Sequence, residues 1–423
     1  METISFARGN PAHECIPVEE LADCARAAVE RDGTTVLSYG PVGGYQPLRE
    51  WIGERHGVDP GRVLITNGSL QGMVFLAERF RSGRVLVEAP TYDRPLKILA
   101  AHGVEISPVA MDDEGLDPSA LEHALGSGEK PAFLYTIPTF QNPSGRTLST
   151  ERRHRLVELA REHDLPVLED DPYGLVRYEG TAPPTLFELE GGELVTYSSS
   201  FSKTIAPGLR VGYFVLPAAL ERELEALAVS TYITPVLLGQ ATVFEFLRRG
   251  NFEPNLERVR SLLGARRDAM LEALETELPG ARWSHPEGGY FIWLELPDGT
   301  DTTKLLGPAG EAGVTYVPGA DFGGEPNTAR LRSVSSRSTR SARACADSPH
   351  SCLFPSRRRQ PARNRRESEA RDAAGVAERA SRGCEAGTSD RVRQSAGRRA
   401  RRDGSSSPRR SSRSAWSWFR LPK

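Results

Sequence analysis

Short apolar runs followed by polar, loop-forming clusters recur along this chain up to about residue 331. Arg62-Val63-Leu64-Ile65, Phe133-Leu134-Tyr135-Thr136-Ile137, Leu165-Pro166-Val167-Leu168 and Leu194-Val195-Thr196-Tyr197 each read as a buried strand. Between the second and third runs, residues 151–163 carry Leu156, Val157, Leu159 and Ala160 on one helical face. Ser149 or Thr150 stands where an N-cap belongs. Strand, helix and strand at this spacing form a βαβ unit, whose parallel strands deliver their loops to the same sheet edge. Asn67-Gly68-Ser69 opens a further helix over 70–80. Residues 257–278 hold Val259, Leu262, Leu263, Met270, Leu271 and Leu274 near helical spacing. Residues 290–296 and 314–317 read as strands. The pattern predicts an α/β chain in which a large domain over 36–278 carries a mostly parallel sheet flanked by helices. A small α/β domain joins the N-terminal segment, 1–35, to residues 279–331.

The polar clusters carry the chemistry. Thr139-Phe140-Gln141-Asn142-Pro143-Ser144-Gly145, Asp170-Asp171-Pro172-Tyr173 and Ser200-Phe201-Ser202-Lys203 each lie just beyond the carboxyl end of a predicted strand. Three loops therefore meet where open α/β sheets bind ligands. Lys203 stands between two hydroxyl residues, and Arg210 follows past Pro207-Gly208. A lysine that condenses with an aldehyde while hydroxyls and a guanidinium hold a phosphate needs such surroundings. Gly68-Ser69 at a helix start offers backbone N–H donors and the positive dipole end to an anion.

Taken together, the stretch 200–212, the Asp-x-x-Tyr of Asp170 and Tyr173 and the Asn142-Pro143 loop resemble the pyridoxal-phosphate (PLP) aminotransferases of classes I and II. Within them the 2-aminoadipate/kynurenine branch is most similar, and the resemblance covers residues 4–331. It implies PLP fold type I, with the cofactor bound to Lys203 as an imine. Asp170, and not Asp171, would face the pyridine nitrogen, and Asn142 and Tyr173 its phenolic oxygen. Tyr92 would stack on the ring, while Gly68, Ser69, Ser200, Ser202 and Arg210 hold the phosphate. Arg330 would take the substrate carboxylate, with Asn142 and Gly40 beside it. Leu37-Ser38-Tyr39-Gly40-Pro41 and the following Gly/Pro-rich segment match the family's stretch in which a tyrosine reaches the neighbouring subunit's phosphate. Tyr39 thus implies a homodimer with a shared site. The implied reaction moves an amino group from an α-amino acid to a 2-oxo acid, commonly 2-oxoglutarate. The same fold also supports β-lyases and decarboxylases, an inactive remnant, or a regulator.

Charge then divides the chain. Residues 332–423 hold 24 Lys and Arg against 8 Asp and Glu. The whole chain holds 54 against 56, which leaves residues 1–331 with 30 against 48. A net of −2 thus conceals an acidic body and a basic Ser/Arg/Ala-rich tail. That tail lacks periodic apolar stretches, so its composition predicts disorder. It also stands where family members continue with a strand and a closing helix, which leaves the small domain incomplete. Two readings compete: translation out of frame after residue 331, or a basic arm for a polyanion such as nucleic acid. Apart from that tail, nothing suggests a nucleic-acid partner. Cysteines 15, 24, 345, 352 and 384 show no Cys-x-x-Cys spacing, which argues against a zinc site or disulfide framework and for a reducing cytoplasm. No metal site is predicted. The most apolar window, 228–247, is too interrupted by Thr234, Pro235 and Gln240 to span a bilayer.

Overall fold

Strands buried on both faces are apolar at successive positions, because helices cover each side of the sheet. The computed structural model describes residues 4–333, so the readings made for residues 334–423 lie outside the described residues. In chain order the strands are β1 (Ile4–Ser5), β2 (Val63–Thr66), β3 (Arg84–Ala89), β4 (Glu105–Asp112), β5 (Gly115–Leu116), β6 (Phe133–Thr136) and β7 (Val167–Asp170). They continue as β8 (Val195–Ser200), β9 (Gly212–Val215), β10 (Arg282–Trp283), β11 (Phe291–Glu295), β12 (Val314–Thr315), β13 (Val317–Pro318) and β14 (Thr328–Arg332). The large sheet has the order β2-β9-β8-β7-β6-β3-β4-β5. Its centre, β8-β7-β6-β3-β4, is parallel, and β9 and β5 run against their neighbours.

Alternate residues of these strands feed two cores. Ile65, Leu86, Leu134, Val167 and Val195 pack on one face. Leu64, Val85, Phe133, Leu168 and Phe214 pack on the other. Helices α1 (Val18–Val36) and α2 (Gln46–His56) contribute to the first core, and α3 (Ser69–Arg79) and α4 (Asp93–Ala101) to the second. The crossover helix between β6 and β7 spans Thr150–Glu162, with α5 (Pro118–Leu125) before it, and is α6. The Ser149 hydroxyl caps it by accepting from the Arg152 N–H at 3.3 Å.

A second sheet, β10-β11-β14-β13, is antiparallel throughout. Ile292, Leu294, Ala329 and Leu331 bury one face of it against Met270, Leu274 and Phe6. The helix supplying Met270 and Leu274 starts earlier than its periodicity suggested, at Phe252, and ends at Glu277. It follows α7 (Leu186–Glu190), α8 (Ala218–Tyr232) and α9 (Leu237–Arg248) and is α10; α11 (Leu306–Glu311) comes after it. The single strand read over 314–317 is two strands. Tyr316 turns inward between them, its hydroxyl donating to the Thr302 carbonyl at 2.5 Å. β12 therefore pairs with β1 and β13 with β14. Among the described residues, no helix is long and apolar enough to cross a membrane.

Candidate active site

The carboxyl ends of β6, β7 and β8 lie side by side, and β2 ends at the same edge because two antiparallel pairings relate it to β8. Loops from these four ends surround a cavity of about 620 Å³. Gly68, Ser69, Tyr92, Asn142, Asp170, Tyr173, Ser200, Ser202, Lys203, Arg210 and Arg330 all line it.

Asp170 closes β7 and is 8% exposed. Its Oδ2 accepts from the Tyr135 hydroxyl at 3.0 Å and its Oδ1 from the Ser198 hydroxyl at 3.1 Å. The register of β7 on β8 sets the second bond, since Asp170 pairs with Ser198. Burial pushes the carboxyl up to about 6, against those two bonds and the Lys203 amine, which favour the anion. Asp171 faces elsewhere, accepting from the Tyr197 hydroxyl at 2.9 Å and the Gly174 N–H at 2.8 Å.

Lys203 projects into the cavity and donates to the Gly9 carbonyl at 2.6 Å, with the Tyr173 and Tyr290 rings 5.7 and 5.5 Å from its Nζ. Burial, with Arg330 and Arg210 nearby, brings this amine down to about 8, against the opposing pull of Asp170. A lysine so placed is a readier nucleophile near neutral pH than a solvated one.

Beyond Lys203 the donors change to those an anion requires. α3 begins at Ser69, and Gly68, Ser69 and Leu70 line the cavity, so the N-terminal end of the helix stands at its wall. Gly68 precedes it at φ +84, where a side-chain Cβ would stand 2.2 Å from Arg210 Nη2. Arg210 donates to the Asn67 carbonyl at 3.0 Å and the Pro207 carbonyl at 3.2 Å. The Ser200 hydroxyl lies 2.8 Å from that of Ser202.

Arg330 comes from β14 and is 7% exposed. It donates to Asn142 Oδ1 at 2.9 Å and the Ala7 carbonyl at 2.7 Å, and its Nε is buried without a partner. The rings of Phe291 and Phe322 lie 4.3 and 4.6 Å from the guanidinium carbon. Among the described residues no carboxylate forms a salt bridge with it, so a guanidinium is held ready in an apolar frame.

Tyr39 and Gly40 stand apart. Neither lines this cavity: Tyr39 is 82% exposed, and the Gly40 N–H donates to the Thr234 hydroxyl at 3.1 Å. The placement of Gly40 beside the substrate therefore does not hold within one protomer. Sequence reasoning also passed over residues 7–10, which form a wall of the cavity, and Tyr290, whose hydroxyl donates to the Lys203 carbonyl at 2.9 Å. Neither stood out as a site residue: β1, just before residues 7–10, is two residues long, too short for periodicity to reveal, and Tyr290 stands in a run read as a strand.

The cavity thus offers, in sequence, a buried carboxylate, an amine, and a cluster of hydroxyl, backbone N–H and guanidinium donors. That donor set fits a phosphorylated pyridine aldehyde: acid for the ring nitrogen, amine for the aldehyde, and N–H and hydroxyl donors for the phosphate.

Comparison with known proteins agrees. The family "Aminotransferase class I and II" matches residues 2–340. The 2-aminoadipate transaminase of Thermus thermophilus is 41% identical over 341 residues, 78% of this chain and 84% of that protein. Aromatic-amino-acid aminotransferase 1 of Thermococcus litoralis is 37% identical over 76% of this chain and 80% of its own length. A crystal structure of Pyrococcus horikoshii kynurenine aminotransferase, in complex with PMP, matches with a TM-score of 0.78 at 37% identity, covering 82% of this chain and 89% of that one. The chain belongs to the class I and II aminotransferases, PLP-dependent transaminases of fold type I.

Proposed function

We propose that this enzyme transfers the amino group of an α-amino acid to a 2-oxo acid, commonly 2-oxoglutarate, at the cavity around Lys203. The names of its relatives, which include aromatic amino acids, 2-aminoadipate and kynurenine, support a donor from the α-amino acids at large. Bound PLP supplies an aldehyde carbon that accepts amines and a ring that takes up the electron pair freed at the substrate's α-carbon.

The chain does the rest. Asp170 holds the ring end, its buried carboxylate favouring a proton on the facing nitrogen. Asn142 and Tyr173 would orient the ring by hydrogen bonds, and Tyr92 would stack on it. Gly68, Ser69, Ser200, Ser202 and Arg210 grip the phosphate. Arg330 binds the substrate carboxylate, a planar partner for a planar fork. Lys203 Nζ would take the α-proton of the substrate and give it to the aldehyde carbon that bound PLP supplies. Tyr39, exposed in one protomer, reaches the site of a second copy, and Gly40 lies beside it; the working unit is a homodimer. Buried, unpaired Cys15 and Cys24 support a reducing cytoplasm.

One observation carries this reading: the Lys203 amine shares a single cavity with Asp170, Asn142 and Arg330. Purified protein given PLP should gain a visible absorption band, and borohydride should fix the cofactor to Lys203. Lys203→Ala should show neither. Colourless wild-type protein would end the proposal. A 2-oxo acid product, without ammonia or carbon dioxide, separates transamination from elimination and decarboxylation.

A further inference from the structure

Glu88 belongs to none of the loops above, yet its bonds reach the one that bears Asn142. It lies near the carboxyl end of β3, 1% exposed. Its Oε1 accepts from the Thr136 hydroxyl at 2.5 Å, and its Oε2 accepts from the Ile137 N–H and Gln141 Nε2, both at 3.1 Å. Gln141 gives its other amide proton to the Pro90 carbonyl at 2.9 Å and accepts the Ser144 N–H on Oε1 at 2.8 Å. This one side chain therefore spans the segment leading to Tyr92 and the loop bearing Asn142.

We infer that Glu88 is a positioning residue for the reaction, fixing the Asn142 carboxamide through Gln141. The inference rests on the assignment of Asn142 to the cofactor made above. The Ile137 N–H and Gln141 Nε2 can only donate, so Oε2 must accept, whereas the Thr136 hydroxyl can donate to Oε1 or accept from it. A leucine of similar size would leave both of the Oε2 donors without an acceptor. The Gln141 amide is then no longer held, and its turning over removes the donor to Pro90 and the acceptor for Ser144. The loop would shift without a cavity being opened. The titratable groups facing Glu88 are Asp170 on the nearby β7 and Tyr135 on β6.

The test compares PLP-loaded Glu88→Leu, Gln141→Leu and Asn142→Ala with wild type by pH titration of the cofactor's visible band, steady-state kinetics and melting. Gln141→Leu keeps the Glu88 carboxyl, so a shift common to both variants reports geometry and not field. The expected result is a titration midpoint displaced in the same direction in all three, by about half a pH unit or more. In Glu88→Leu, kcat should fall about tenfold with KM within about twofold, and melting should stay cooperative. Should Glu88→Leu fail to fold, Gln141→Leu decides alone. Wild-type titrations in the Glu88 and Gln141 variants beside a displaced Asn142→Ala would overturn the inference and leave the site reading intact. A wild-type titration in Asn142→Ala would remove the assignment of Asn142 and the inference with it.

Discussion

Arg330 is the residue whose loss should separate substrate from cofactor. It touches Asn142 and the Ala7 carbonyl but no carboxylate among the described residues. A charge-assisted hydrogen bond contributes about 1.5–3 kcal/mol, so Arg330→Ala should lower kcat/KM for every α-amino acid by about 10- to 100-fold. PLP affinity, measured by equilibrium titration of the absorption band, should change little. A kinetically silent variant would mean that the substrate carboxylate binds elsewhere. His56 makes a stability prediction of a different kind. Its ring packs on Tyr197 at 4.7 Å and near Phe187 and Tyr213, and burial brings it down to about 4. The folded value lies below the unfolded value near 6.5, so the stability from burying the neutral ring is complete above pH 6.5 and lost as pH falls through 4. His56→Phe should therefore melt with a shallower acid-side decline than wild type over that window. Parallel declines would show that the ring is already protonated in its pocket or free of it.

Elements explain why so much of the site could be read without coordinates. A buried parallel strand is legible because it is apolar throughout, and its functional residue stands at or just past its end. Asp170 after Val167 and Leu168, and Lys203 after the run at 194–197, follow that rule. Contacts between distant segments left no such trace. The Gly9 carbonyl on Lys203, Ser198 under Asp170 and Tyr290 against the Lys203 backbone depend on register and on sheet-to-sheet packing. The break at Tyr316 escaped notice for a related reason: four apolar or hydroxyl residues in a row carry no mark of a change of partner sheet. The start of α3 is the element most exposed to a single change. Gly68→Ala adds a carbon that collides with Arg210 at a φ which L-residues rarely adopt. The variant should bind PLP about tenfold more weakly, because Arg210 or the first N–H groups of α3 must move. Isothermal titration with the cofactor checks this, and unchanged affinity would place the phosphate away from that helix start.

For the whole molecule, Leu37, Tyr39, Val229, Ile233 and Val236 are exposed apolar residues that the proposed homodimer could cover. If Tyr39 serves the neighbour's site, Tyr39→Ala and Lys203→Ala homodimers should each be impaired. Mixed after dissociation, they should regain activity in hybrids that contain one intact site. Failure of mixed subunits to recover would make each protomer self-sufficient.

The bond from Lys203 to Gly9 and that from Arg330 to Ala7 link positions 194 and 323 residues apart. Residues 7–9 therefore find their place only after the later segments that hold them, up to Arg330, have emerged. Turnover becomes a report on completed folding: an intermediate with the central sheet in order but residues 7–10 astray would bind cofactor and yet lack a finished wall. Regain of colour during refolding should thus run ahead of regain of catalysis, and proteolytic clipping before residue 11 should separate the two at equilibrium.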